Sequence, residues 1–170
     1  MHSNESTLSG KITTRYLTRA AVIAALYVAL TYVAGIMNLA YGPVQFRFSE
    51  ALTVLPFLFP EAVPGLFVGC VISNLISPYG VPDLVVGSAA TLLAAIWTNR
   101  CRSRWFAPMP PVIANAVMVG AMIAWYEAGF GAGVPAAFAY NALTVGLGEL
   151  IVCYALGLPL LKILENRGVK

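Results

Sequence analysis

Charged side chains are scarce: Lys, Arg, Asp and Glu together make up 10% of the 170 residues. A soluble domain carries about a quarter, so the scarcity excludes an ordinary water-soluble fold. Histidine occurs once, at His2, and cysteine three times, at Cys70, Cys101 and Cys153. No HExxH helix or Cys/His metal cluster can be assembled from that set. Cys70 and Cys153 lie inside apolar runs and Cys101 in a basic loop, without a C-x-x-C, so three free thiols are expected. The phosphate-loop pattern G-x-x-x-x-G-K-[ST] is missing, and so is G-x-S-x-G. The chain therefore reads as a non-enzyme with no catalytic residues, metal or cofactor, and any ATP hydrolysis would have to come from elsewhere. No basic patch with interleaved aromatics exists, which argues against a nucleic-acid partner. Met1 to Gly10 lacks the charged region, short apolar core and cleavage site of a signal peptide and reads as a polar tail.

What is present is hydrocarbon. Hydrophobic residues make up 59% of the chain, and the mean hydropathy is +0.80. No charge occurs from Ala20 to Phe46, Ala62 to Pro82, Leu84 to Asn99, Trp105 to Tyr126 or Ala128 to Gly148. Such runs approach the ~20 residues that a helix needs to cross a bilayer, where helices satisfy their own backbone. The expected fold is all-α: a multi-pass bundle of six transmembrane helices in one domain over residues 14–164, with polar tails over 1–13 and 165–170. All basic residues except Arg47 fall into three groups: Lys11, Arg15 and Arg19; Arg100, Arg102 and Arg104; Lys162, Arg167 and Lys170. The positive-inside bias then puts both termini and the loop near residue 100 in the cytoplasm.

Helix 1 is expected from Thr14 to Ala34, with an alanine-rich surface that either packs internally or docks on a membrane partner. Gly35 to Pro43 forms a loop with Asn38, Tyr41 and Gly42. Helix 2 runs from Ser49 to Phe59, capped by Ser49 and bent at Pro56; at 1.5 Å per residue it is only about 17 Å long, so a re-entrant hairpin is the alternative to a full span. Helix 3 runs from Glu61 and Pro64 to Ser77, with Gly65 and Gly69 as a GxxxG pair. Helix 4 runs from Asp83 to Asn99, helix 5 from Pro110 or Pro111 to Glu127, and helix 6 from Pro135 to Leu164.

Polar residues inside these spans mark a site, because an ionisable group in hydrocarbon is costly. Arg47 and Glu50 form either a structural ion pair or a gate and ligand contact. Asp83 and Glu127 are candidates too, with helix capping and a solvated interface as their bland alternatives; Glu61 reads as a first-turn acid. Asn74 lies near the end of helix 3. Asn141 and Glu149 are roughly 80° apart on helix 6 and can border one cavity. Glu149 is the deepest acid, and a buried carboxylate without a cation is either protonated or awaiting a ligand. Asn115, Met118, Met122 and Trp125 form a stripe on helix 5 that is either packing or site. Trp125, Tyr126 and Tyr140 add flat faces suited to a planar heterocycle.

The run Phe-Arg-Phe-Ser-Glu-Ala-Leu-Thr-Val-Leu-Pro-Phe-Leu-Phe-Pro, followed by Pro-Gly-Leu-Phe-Val-Gly-Cys and Gly-Ser-Ala-Ala-Thr-Leu-Leu-Ala-Ala, resembles the QueT family. These are substrate-binding S components of energy-coupling factor (ECF) transporters, associated with queuosine precursors. The resemblance covers Arg19 to about Leu164. It implies a prokaryotic cell-membrane protein that captures a 7-deazaguanine such as 7-aminomethyl-7-deazaguanine or queuine. It also implies docking on a transmembrane coupling protein driven by two ATPases. Ala20 and Ala24, or Ala21 and Ala25, match the family's Ala-x-x-x-Ala docking pattern, and the loop with Tyr41, Phe46 and Arg47 would be a gate. In this setting Glu149 would read the guanine-like edge, Asn141 and Asn115 its carbonyl, and Trp125 or Tyr140 would stack. Glu50, Asp83 or Glu127 would hold the amine. Alternatives are an S component for another vitamin-like heterocycle, or a stand-alone secondary transporter.

Overall fold

Six helices follow one another in the computed structural model, which describes residues 13–40 and 45–168; no strand occurs among them. Lys11, Lys170, His2, most of the N-terminal tail, and Tyr41 and Gly42 of the expected gate lie outside the described residues. Helix α1 spans Thr14–Ile36, and the Thr13 hydroxyl accepts from the Tyr16 amide at its start. It stops at Asn38, whose left-handed φ of 55° lets Leu39 N–H reach back to the Ala34 carbonyl and Asn38 N–H to that of Gly35. The others are α2 (Phe48–Phe57), α3 (Ala62–Asn74), α4 (Asp83–Asn99), α5 (Met109–Ala128) and α6 (Val134–Asn166). Helices α1, α5 and α6 are long and apolar enough to cross a membrane; α2, α3 and α4 are shorter apolar helices. The expected bounds thus fall within a few residues of the observed ones, and helix 4 agrees to the residue; helix 3 is shorter than expected, ending at Asn74 and not Ser77, because the turn from Ser77 to Pro82 consumes apolar residues without extending a helix.

Helix α2 differs most from expectation. It is a 3₁₀-helix with Pro56 inside it, and at about 2.0 Å per residue ten residues extend roughly 20 Å. Side chains add donors along it: Asn99 Nδ2 donates to the Pro56 carbonyl at 2.7 Å, and Thr53 Oγ1 to that of Glu50 at 2.5 Å. Every residue from Ser49 to Pro56 is buried. The element touches α1, α3, α4 and α6.

Three contacts gather the basic residues at one end. Arg19 of α1 pairs with Glu61 ahead of α3 at 2.6 Å, Asn99 at the end of α4 meets Pro56, and Arg104 pairs with Glu165 at 3.5 Å. The helices alternate up and down, so Thr14 and Asn166 lie at that same end. Burial is inverted relative to a soluble protein: Ile36, Leu75 and Val85 are 70%, 67% and 61% exposed, while Asp83, Asn74 and Glu50 are almost fully enclosed. An apolar exterior, with charged groups drawn inside beside an apolar core, suits a lipid solvent.

The GxxxG pair does what its spacing predicts. A Cβ on Gly65 would sit 2.6 Å from the Ala20 carbonyl oxygen, and one on Gly69 2.9 Å from the Tyr27 Cβ, so the α1 backbone rests directly on α3. Ala20 and Ala24 therefore face inward against those glycines. Ala21, Ala25 and Ala29 remain exposed and line a shallow groove with Val28, Tyr32, Val68 and Ile72.

Candidate functional site

The short segment that enters α2 lies across the bundle interior. Gln45 and Arg47 are buried, and the Gln45 carbonyl rests where a side chain at Gly148 of α6 would otherwise stand. Arg47 turns inward. Its Nη2 lies 3.1 Å from Asp83 Oδ2, its Nη1 donates to Asn74 Oδ1 at 3.4 Å, and its Nε to the Ala40 carbonyl at 3.3 Å. Asp83 Oδ2 also accepts from Ser77 Oγ at 2.6 Å, and Asn74 Nδ2 donates to the Asp83 carbonyl at 2.9 Å. One guanidinium thus ties the loop to α3 and the start of α4. Charge-assisted bonds of this kind, enclosed on all sides, are the stronger sort.

Deeper in the bundle is a second group. Tyr27 of α1 donates its hydroxyl to Glu50 Oε1, while Glu50 Oε2 is buried without a hydrogen-bond partner. Asn115 Nδ2 donates to Glu149 Oε1 at 2.8 Å, and the Cys153 thiol lies 3.6 Å from Glu149 Oε2. That thiol is also 3.4 Å from the Glu50 carbonyl and 3.7 Å from Thr53 Oγ1. Glu50 and Glu149 lie within electrostatic reach of each other and of Arg47. Three enclosed acids, Glu50, Glu149 and Asp83, therefore share the field of one guanidinium.

A third group lies farther along α6. Asn141 Nδ2 donates to Glu127 Oε2 at 2.9 Å and to the Ala137 carbonyl at 3.0 Å. Glu149 is eight residues on, about 12 Å along the helix, so the two polar positions of α6 serve different partners.

The expected site residues are thus partly brought together. Arg47, Asn74, Asp83, Glu50, Asn115 and Glu149 converge in the interior. Trp125 and Tyr140 are 44% and 58% exposed. Trp125 packs edge-on against Phe130 and lines an apolar cleft of about 460 Å³ with Val81, Val86 and Met118. The Asn115 to Trp125 stripe is broken at its first member: Asn115 faces Glu149, while Met118, Met122 and Trp125 line the cleft together and Met122 also packs in the core. The cause is a π-helical turn over Asn115–Val119, which adds a residue to the turn and swings Asn115 off the face of the two methionines. The ion pair of Arg47 also differs from the sequence reading: it is made to Asp83 and not to Glu50, three residues away. Sequence reasoning missed Tyr27, Ser77, Thr53 and Cys153. Tyr27 could have been found, since a hydroxyl in the middle of a charge-free helix must seek a partner.

The π turns recur. Asp83–Gly87 opens α4, Asn115–Val119 interrupts α5, and Cys153–Gly157 interrupts α6. Each begins with a residue of the polar interior, in keeping with the association of such turns with functional sites.

No solved structure matches the chain. Over 73 residues it is 42% identical to the queuosine precursor transporter QueT of Lactococcus lactis subsp. cremoris (strain MG1363), a match that spans 43% of this chain and 43% of that relative's length. The sequence profile of the family described as QueT transporter matches residues 17–166, which takes in α1 but for its first three residues, the other five helices and every residue of the polar interior. The chain belongs to the QueT transporter family.

Proposed function

We propose that this chain is the substrate-binding S component of an ECF importer. It takes a queuosine precursor of the 7-deazaguanine class from outside the cell and delivers it by docking on a coupling protein driven by two ATPases. The observation that carries this reading is the enclosed trio Glu50, Asn115 and Glu149, in which one carboxylate oxygen has no donor. A carboxylate beside an amide suits the donor-rich edge of a guanine-like ring, and a buried polar site of this kind strongly rejects ligands that leave it unpaired. The surplus of acid over guanidinium favours a ligand with a cationic amine, as in 7-aminomethyl-7-deazaguanine. Segment 45–47 is buried beside this polar interior, so in this reading admission of ligand requires the Arg47 contacts to Asp83 and Asn74 to release. Asn141 with Glu127, and the exposed Trp125 and Tyr140, line the approach.

All six helices traverse the membrane in this reading, with both termini cytoplasmic, following the single basic end of the bundle. The exposed Ala21, Ala25 and Ala29 face is the docking surface; Ala20 and Ala24 support it from within. Calorimetry on the purified chain tests the substrate. Selective sub-micromolar binding of 7-aminomethyl-7-deazaguanine, against riboflavin, thiamine and guanine, is expected. Glu149→Gln should weaken it by about 1.5–3 kcal/mol, the range of a hydrogen bond to a charged group. No heat with any deazaguanine from folded protein would reject the assignment. Co-purification with ATPase subunits tests the coupling, whereas uptake by the lone chain in liposomes would identify a secondary carrier.

A further inference from the structure

At the basic end of the molecule, between α6 and the connection from α4 to α5, Arg104, Trp105, Tyr154, Leu158, Pro159 and Lys162 line a groove of about 410 Å³. Its wall is built: the Tyr154 hydroxyl donates to the Trp105 carbonyl at 3.1 Å, and the Arg104 guanidinium lies 5.8 Å from the centre of the Trp105 ring. Arg104 also reaches Glu165 at 3.5 Å, yet its side chain remains 47% exposed. Lys162 is exposed as well. Two cations at the rim, against one carboxylate, leave an excess of positive charge above a floor of ring and aliphatic carbon. A tryptophan and a tyrosine beside basic residues is the pattern of a membrane–water boundary. The groove therefore asks for two things at once, an anion at its rim and hydrocarbon along its floor.

We propose that this groove binds one anionic phospholipid, with the phosphate between Arg104 and Lys162 and an acyl chain along Tyr154, Leu158 and Pro159. Basic pockets between transmembrane helices have this selectivity because each Lys or Arg near the surface favours anionic lipid. The proposal rests on the membrane-spanning reading above but not on the identity of the transported substrate. Glu165 offsets part of the Arg104 charge, so the preference over a zwitterionic lipid is on the order of tenfold.

Trp105 is a reporter placed inside the groove. Trp97→Phe and Trp125→Phe together leave it as the single tryptophan. The protein is placed in nanodiscs containing either brominated phosphatidylglycerol or brominated phosphatidylcholine, and fluorescence quenching is titrated. Quenching by the phosphatidylglycerol should develop at roughly one-tenth the mole fraction needed for phosphatidylcholine. Adding Arg104→Gln and Lys162→Gln should remove that advantage and leave quenching by phosphatidylcholine unchanged; the unchanged value shows that the variant is still inserted. Equal quenching by the two lipids in the parent, an advantage that survives the double substitution, or no quenching by either would each overturn the site. None of these outcomes touches deazaguanine binding, so failure here and failure of the substrate reading are separable.

Discussion

Arg47 and Asp83 show how much depends on single side chains in an enclosed polar interior. The guanidinium contacts Asp83, Asn74 and the Ala40 carbonyl, so replacing it strands acceptors that cannot turn to water. Removal of one member of a buried ion pair costs about 3–5 kcal/mol, whereas replacing both by apolar groups is often close to neutral. Arg47→Met should therefore lower the thermal unfolding temperature in detergent sharply, and Arg47→Met with Asp83→Leu should recover much of the loss. If the double variant is no more stable than the single, the pair is not what holds segment 45–47 in place. The sequence made both residues visible as charges beside apolar runs, but not as partners. They lie 36 positions apart, and the nearer Glu50 was the obvious mate. Glu50 instead takes the Tyr27 hydroxyl, a pairing that hydropathy cannot reveal because tyrosine counts as apolar.

At the scale of elements, the positions of all six helices were legible because charge and proline punctuate them, while the winding of α2 was not. A run such as Ser49 to Phe57 has the same composition wound three or four residues to the turn, and the choice is made by Pro56 and by donors from α4 and α6. The contact of α1 with α3 was legible, since GxxxG has a purely steric meaning. Gly65→Ala should cost about 1–3 kcal/mol, as overpacking does, because the new methyl meets backbone and not a movable side chain. Gly133→Ala, where no atom lies within 4 Å of the added carbon, should be close to neutral in the same unfolding measurement. Equal effects at the two positions would mean that α1 can slide to make room.

For the whole molecule, the basic end is the strongest statement the sequence makes, and a native cysteine can test which side of the membrane it faces. Cys70 and Cys153 are buried, but Cys101 lies partly exposed in the loop among Arg100, Arg102 and Arg104. A membrane-impermeant maleimide should label the protein in inside-out vesicles and not in intact cells; the reverse pattern would invert the orientation. Burial pushes the Cys101 thiol above its ordinary range, and the thiolate is the reactive form, so labelling should still be accelerating at a pH where a free thiol has levelled off. The three π turns carry a different implication, one of counting. Each holds one residue more than an α-helical turn would, and deleting it would rotate the rest of that helix by about 100°. A relative that lacks a single residue in one of these turns would keep the hydropathy profile and helix count of this chain, yet aim part of its polar interior at the lipid. Relatives are therefore best compared for ligand preference by their insertions and deletions at these three places.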